Sequence, residues 1–101
     1  MADEQDYLTF REQLLIAIAD EQEPPGLAEV DLFEVCARHR IPFQETWVHL
    51  AAKDFERLGY GADRSTMKAR RFLINGGGLA AATEARRATR RKSFAVRVRE
   101  V

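Results

Sequence analysis

Phe43-Gln-Glu-Thr-Trp-Val-His-Leu-Ala-Ala-Lys-Asp-Phe-Glu-Arg-Leu58, followed by Gly59, decides how the chain is read. Its apolar residues recur at helical spacing, so Trp47, Val48, Leu50, Ala51, Phe55 and Leu58 are expected on one broad buried face. Glu45, His49, Lys53 and Glu56 then fall on the opposite, outward face. The helix is expected to start near Phe43 or Gln44, just after Ile41-Pro42, because proline disfavours helical geometry at the residue before it. Gly59 suits the left-handed backbone that closes a helix.

Upstream, Asp31 begins a shorter helix, with Glu34 in capping-box position. Leu32, Phe33, Val35, Cys36 and Ala37 are its apolar residues, and it should end near His39 or Arg40. Two helices across a short break, the second longer, are a helix-turn-helix. Further upstream, Tyr7, Phe10, Leu14, Ala17 and Ile18 mark a helix from Asp6 to about Glu21. Asp6, or Thr9 with Glu12, could cap it. Residues 1–5 read as a disordered N-terminus. Leu8, Leu15 and Ile16 widen the apolar face beyond what one small core would take, together with Trp47. Pro24-Pro25-Gly26 stops this helix, and Leu27 to Val30 is either a single bridging strand or a lead-in turn.

Downstream, turn residues Gly61, Asp63 and Ser65 and the run Arg71-Phe-Leu-Ile74 predict one antiparallel hairpin, about 61–66 with 70–74. Asn75-Gly-Gly-Gly78 is a sharp turn, with Asn75 able to cap a fourth helix from Leu79 to about Arg91. The basic and apolar tail, 92–101, fits a strand and a helix equally well. The expected fold is mainly α with a small β-hairpin: a three-helix core, a wing and a C-terminal helix, all in one domain over 1–101.

The composition, 46% apolar and 32% charged, is that of a globular domain. A single cysteine excludes an intramolecular disulfide and fits a reducing compartment. There is no apolar run of membrane-spanning length and no basic start of a signal peptide, so a cytoplasmic location is expected. The zero net charge conceals a split. Residues 1–34 carry ten acids and one base, and residues 35–101 carry fifteen bases and six acids. Either the basic part meets an anionic partner, or the two parts attract each other within the fold.

Three basic sets follow. Gln44, Thr46, His49, Lys53 and Arg57 on the third helix could reach bases or phosphates. Arg64, Lys68, Arg70 and Arg71 on the hairpin could lie along a phosphate backbone. Arg86, Arg87, Arg90, Arg91 and Lys92 form the densest basic cluster, which nucleic acid, an acidic protein or anionic lipid would satisfy. Each set also has a plain reading as a solvated face. Asn75-Gly-Gly-Gly78 lacks the Lys-Ser/Thr of a phosphate-binding loop and reads as a turn. Cys36, His39 and His49 lack a fourth metal ligand, and Cys36 falls among core residues. No serine or cysteine stands in an activated setting, so no catalysis, cofactor, metal or small-molecule substrate is expected.

The order of elements resembles a winged helix-turn-helix domain. Asp31-Leu-Phe-Glu-Val-Cys-Ala carries the resemblance in the second helix, and Phe55-Glu-Arg-Leu-Gly-Tyr carries it at the end of the third. Arg71-Phe-Leu-Ile-Asn-Gly-Gly-Gly-Leu-Ala resembles the last wing strand and next helix start of bacterial regulators, often written L-T-x-x-G. The likeness spans about residues 7–91, and it implies binding of duplex DNA. Two departures stand beside it: the third helix is longer than usual, and its outer face is nearly charge-neutral. The alternative is a protein-interaction module, such as a homodimer built on the first helix and the tail. The tail also resembles a linker to a membrane segment, which would apply if the chain were a fragment.

Overall fold

A computed structural model describes residues 2–22 and 28–100, with side chains described over 6–22 and 28–89. The Pro24-Pro25-Gly26 stop and Leu27 lie outside the described residues.

The chain is mainly helical with a small antiparallel sheet. Its elements are α1 (Ala2–Glu21), β1 (Val30–Asp31), α2 (Leu32–Arg38), α3 (Glu45–Arg57), β2 (Gly61–Asp63), β3 (Arg71–Ile74) and α4 (Gly76–Glu100). The sheet order is β1-β3-β2. The expected hairpin pairs Gly61 with Ile74, Ala62 with Leu73 and Asp63 with Phe72. The ladder is shorter than the expected 61–66 with 70–74. β1 adds a third strand, with Val30 opposite Phe72 and Asp31 opposite Arg71.

Local chemistry sets the helix ends. Asp31 caps α2, its Oδ1 accepting from Phe33 N at 3.0 Å and Glu34 N at 3.2 Å. Asn75 caps α4, its Oδ1 accepting from Gly78 N at 2.9 Å. α4 therefore starts at Gly76, three residues before the expected Leu79, and it continues as one helix to Glu100. Asp6 and Thr9 lie inside α1, so neither can cap it. Both α2 and α3 close in the same way, with paired backbone bonds around a left-handed residue. After α3 that residue is Gly59, φ 82°, with Gly59 N bonded to Glu56 O and Tyr60 N to Phe55 O. After α2 it is Arg40, φ 54°, with Arg40 N bonded to Ala37 O and Ile41 N to Cys36 O.

α1 packs against α2, α3 and α4. The core is Phe10, Leu14 and Ile18 of α1, Leu32, Val35 and Cys36 of α2, Val48 and Phe55 of α3, and Phe72 and Ile74 of β3. Burying each large side chain contributes roughly 1.5–3 kcal/mol before the loss of chain entropy. Phe55 and Phe72 meet edge to face at 5.6 Å, which fixes α3 on the sheet. Trp47 is partly buried against Phe10 and Tyr7.

Two residues expected on the buried face of α3 are not there. Leu50 is 48% exposed and Leu58 is 46% exposed. The core contacts α3 along the narrower stripe of Val48, Ala51, Ala52 and Phe55. The apolar surplus is also smaller than expected. Leu15 is buried, Ile16 and Trp47 are partly buried, and only Leu8 of that set is exposed.

Candidate interaction face

The hairpin returns over the first turns of α3. Its tip and α3 flank a groove of about 530 Å³, lined by Phe33 of α2, Glu45, Thr46, His49 and Leu50 of α3, and residues 66–70 of the tip. Backbone bonds hold the tip in shape. Arg64 N donates to Arg71 O at 2.9 Å and Thr66 N to Ala69 O at 2.8 Å. The Thr66 hydroxyl accepts from Lys68 N and Ala69 N, both at 3.2 Å. This tight turn leaves Met67 fully exposed to solvent. Phe43, also exposed, packs against Phe33 with ring centres 5.6 Å apart and planes inclined by 59°.

Of the residues expected to meet nucleic acid, Thr46, His49, Lys68 and Arg70 come together around this groove. Gln44 is the N-cap residue of α3, and Lys53 lies one turn beyond His49 on the same helix face. His49 is partly buried, and its Nδ1 has no hydrogen-bond partner among the described residues. Arg57 stands at the far end of α3, bonded to Asp54 Oδ1 at 2.9 Å. Arg64 and Arg71 both turn to Glu29, at 3.2 and 3.8 Å. On α4, Arg86 pairs with Asp20 and donates to Ile16 O, and Arg87 pairs with Glu84 at 3.0 Å. Arg90, Arg91 and Lys92 lie outside the described side chains. Among the described side chains, only Thr46, His49, Lys68 and Arg70 line this groove together, and Arg57, Arg64, Arg71, Arg86 and Arg87 turn to carboxylates.

Part of the charge split closes inside the fold. Acids of the N-terminal third meet bases from further along: Glu21 with Arg38 and with His39 at 2.7 Å, Glu29 with Arg64 and Arg71, and Asp20 with Arg86. Burial alone would push the Glu21 carboxyl up, but the bonds from Arg38 and His39 and their charges outweigh it and hold it below its ordinary value. Among the described residues, Arg40, Lys53, Lys68 and Arg70 have no carboxylate partner within 4.0 Å.

Leu50 and Met67 of this face are exposed without a sign of it in their spacing, and Phe33 borders the face while packing partly against the core. Leu50 was expected in the core because spacing alone does not distinguish the edges of an apolar stripe. An apolar Met67 between turn residues was the one signal available.

Among the described residues no cluster of three histidine, cysteine or carboxylate side chains is placed to hold a metal ion. Burial pushes the Cys36 thiol up to about 11, so at neutral pH it is neither a thiolate nor a nucleophile. No described helix is long and apolar enough to cross a membrane. Comparison with protein-family models, with curated proteins and with solved structures finds no match.

Proposed function

We propose that the chain is a winged helix-turn-helix module that binds another protein through the groove between α3 and the hairpin tip. The winged-helix part rests on the element order: a helix, a short strand, two helices across a break, a hairpin and a closing helix. That is the order the resemblance implies. The partner class rests on one observation. Around this groove three large apolar side chains, Phe43, Leu50 and Met67, stand exposed beside Glu45 and Lys68, while Arg57, Arg64, Arg71, Arg86 and Arg87 elsewhere face carboxylates of their own chain. A phosphate backbone offers nothing to apolar side chains, whereas a protein segment buries them.

A second reading, duplex DNA, has its own support. Among the described residues, Lys53, Lys68 and Arg70 meet no carboxylate, on the side where Gln44 and Thr46 are exposed. Exposed ion pairs are also weak enough to be exchanged for phosphate.

Amide-shift mapping of the full chain tests the protein reading, with peptides selected on it from a random display library. The expected result is shifts clustered at residues 43–50 and 66–70. Selected peptides that move only other residues would remove this face from consideration.

A further inference from the structure

We propose that the groove takes an acidic amphipathic helix, with apolar side chains seated on Phe33, Leu50 and Met67 and carboxylates meeting Lys68 and Arg70. This deepens the protein-binding reading of the same face and rests on it.

Three observations define the occupant. First, the tip offers little to an added strand, because six of its eight backbone donors over 64–71 are already used. Ser65 N goes to Asp63 Oδ1 at 3.0 Å, Arg71 N to Ser65 Oγ at 3.2 Å, and Arg64, Thr66, Lys68 and Ala69 are bonded as described above. Recognition by strand addition needs a free ladder, so side chains must carry it, as when a helix lies in a groove. Second, a cavity of about 530 Å³ between two secondary elements is of a size to receive side chains. Met67, unbranched and fully exposed, can adapt to their shape. Third, the rim is biased in sign. Lys68 and Arg70 lack the carboxylate that Arg64 and Arg71 share in Glu29. The groove's own acid, Glu45, sits in the first turn of α3, where the helix dipole already favours a negative charge. A partner that places Asp or Glu beside its apolar anchors therefore complements the rim, and a basic partner is repelled.

The test uses the full chain and two helical peptides of about sixteen residues. Both carry Leu at i, i+4, i+7 and i+11, one with Glu flanks and the other with Lys flanks. Fluorescence anisotropy should show the Glu peptide binding about tenfold tighter, which is what two ion pairs near the upper end of exposed-pair strength supply. The double variant Lys68→Glu/Arg70→Glu should abolish or reverse that preference. Leu50→Asp and, independently, Met67→Asp should weaken both peptides while leaving the circular dichroism unchanged, since both side chains are exposed.

A preference that survives the double reversal, or binding untouched by Leu50→Asp and Met67→Asp, would overturn the proposal. So would self-association that Leu50→Asp abolishes, because a second copy would then be the occupant. Equal binding of both peptides, lost in Leu50→Asp, would remove the acidic helix and leave the protein-binding reading standing. Binding of neither peptide, with duplex DNA shifting the amides of 43–50 instead, would remove both.

Discussion

The Tyr7 hydroxyl donates to Asp54 Oδ2 at 2.6 Å, joining α1 to α3 across 47 positions of the chain. The same oxygen accepts from Arg11 Nη1 at 3.0 Å, and Asp54 Oδ1 accepts from Arg57 at 2.9 Å. Burial alone would raise the Asp54 carboxyl, but these bonds and the two guanidinium charges outweigh it and hold it below its ordinary value. Burial, together with the carboxylate it faces, pushes the Tyr7 phenol well above its ordinary range, so it remains a donor. The cluster fixes α3 on α1, and α3 is one wall of the groove.

Removing the donor should therefore cost stability without unfolding the chain. Tyr7→Phe is expected to lower the urea-unfolding free energy by about 1–2 kcal/mol, the worth of a hydrogen bond to a charged group. Unchanged stability would mean that the bond contributes nothing net.

Acid should weaken the fold in a defined direction. Asp54 and Glu21 are both held below their ordinary values in the folded chain. Each contributes stability that is present above the unfolded carboxyl value, about 4, and lost as pH falls through the folded one. Thermal melts from pH 7 down to pH 3 should show a falling midpoint. Asp54→Asn and Glu21→Gln together should flatten that fall. A midpoint that rises on acidification would contradict these assignments.

The helix closures make opposite predictions for two substitutions. Arg40 holds φ 54° with a side chain, whereas Gly59 holds φ 82° without one. Left-handed backbone costs an L-residue roughly 1 kcal/mol or more. Arg40→Gly should therefore stabilise the chain by up to about 1 kcal/mol, and Gly59→Ala should destabilise it by about as much. Denaturant titrations of the two variants, moving in the same direction, would refute this reading of the caps.

Two further glycines are held by space. A Cβ on Gly61 would fall on the Leu73 carbonyl oxygen and the Phe72 ring. One on Gly78 would fall on the Tyr60 carbonyl oxygen and Ile74. Either alanine must separate backbone from backbone, so each should cost more than about 2 kcal/mol in urea unfolding. Gly76→Ala meets nothing nearby and serves as the control.

These positions show what was legible in the chain. The period of α3, the caps at Asp31 and Asn75 and the closing Gly59 are local chemistry, and local chemistry can be read from neighbours in sequence. β1 could not be read as a strand outright. Two residues, Val30 and Asp31, have no period, and their partners Phe72 and Arg71 are remote. Arg40 was illegible as a left-handed residue because nothing in its identity marks the conformation. The charge split was visible, but distance decides whether opposite charges meet inside the fold or reach outward. That required knowing that Glu29 lies beside Arg64 and Arg71. For the same reason Leu50 read as core and Lys68 with Arg70 read as part of a larger basic surface.

Salt dependence of duplex DNA binding tests the central claim, that this face is built for protein and that most of the described basic side chains are paired within the fold. The slope of log affinity against log salt falls by about 0.9 for each phosphate neutralised. Lys53, Lys68 and Arg70 are the cations of this face that meet no carboxylate among the described residues, so any binding through it should be weak, and replacing all three by Ala should flatten the slope by no more than about 2.7. Tight binding that the triple variant abolishes would contradict the account and return this face to nucleic acid.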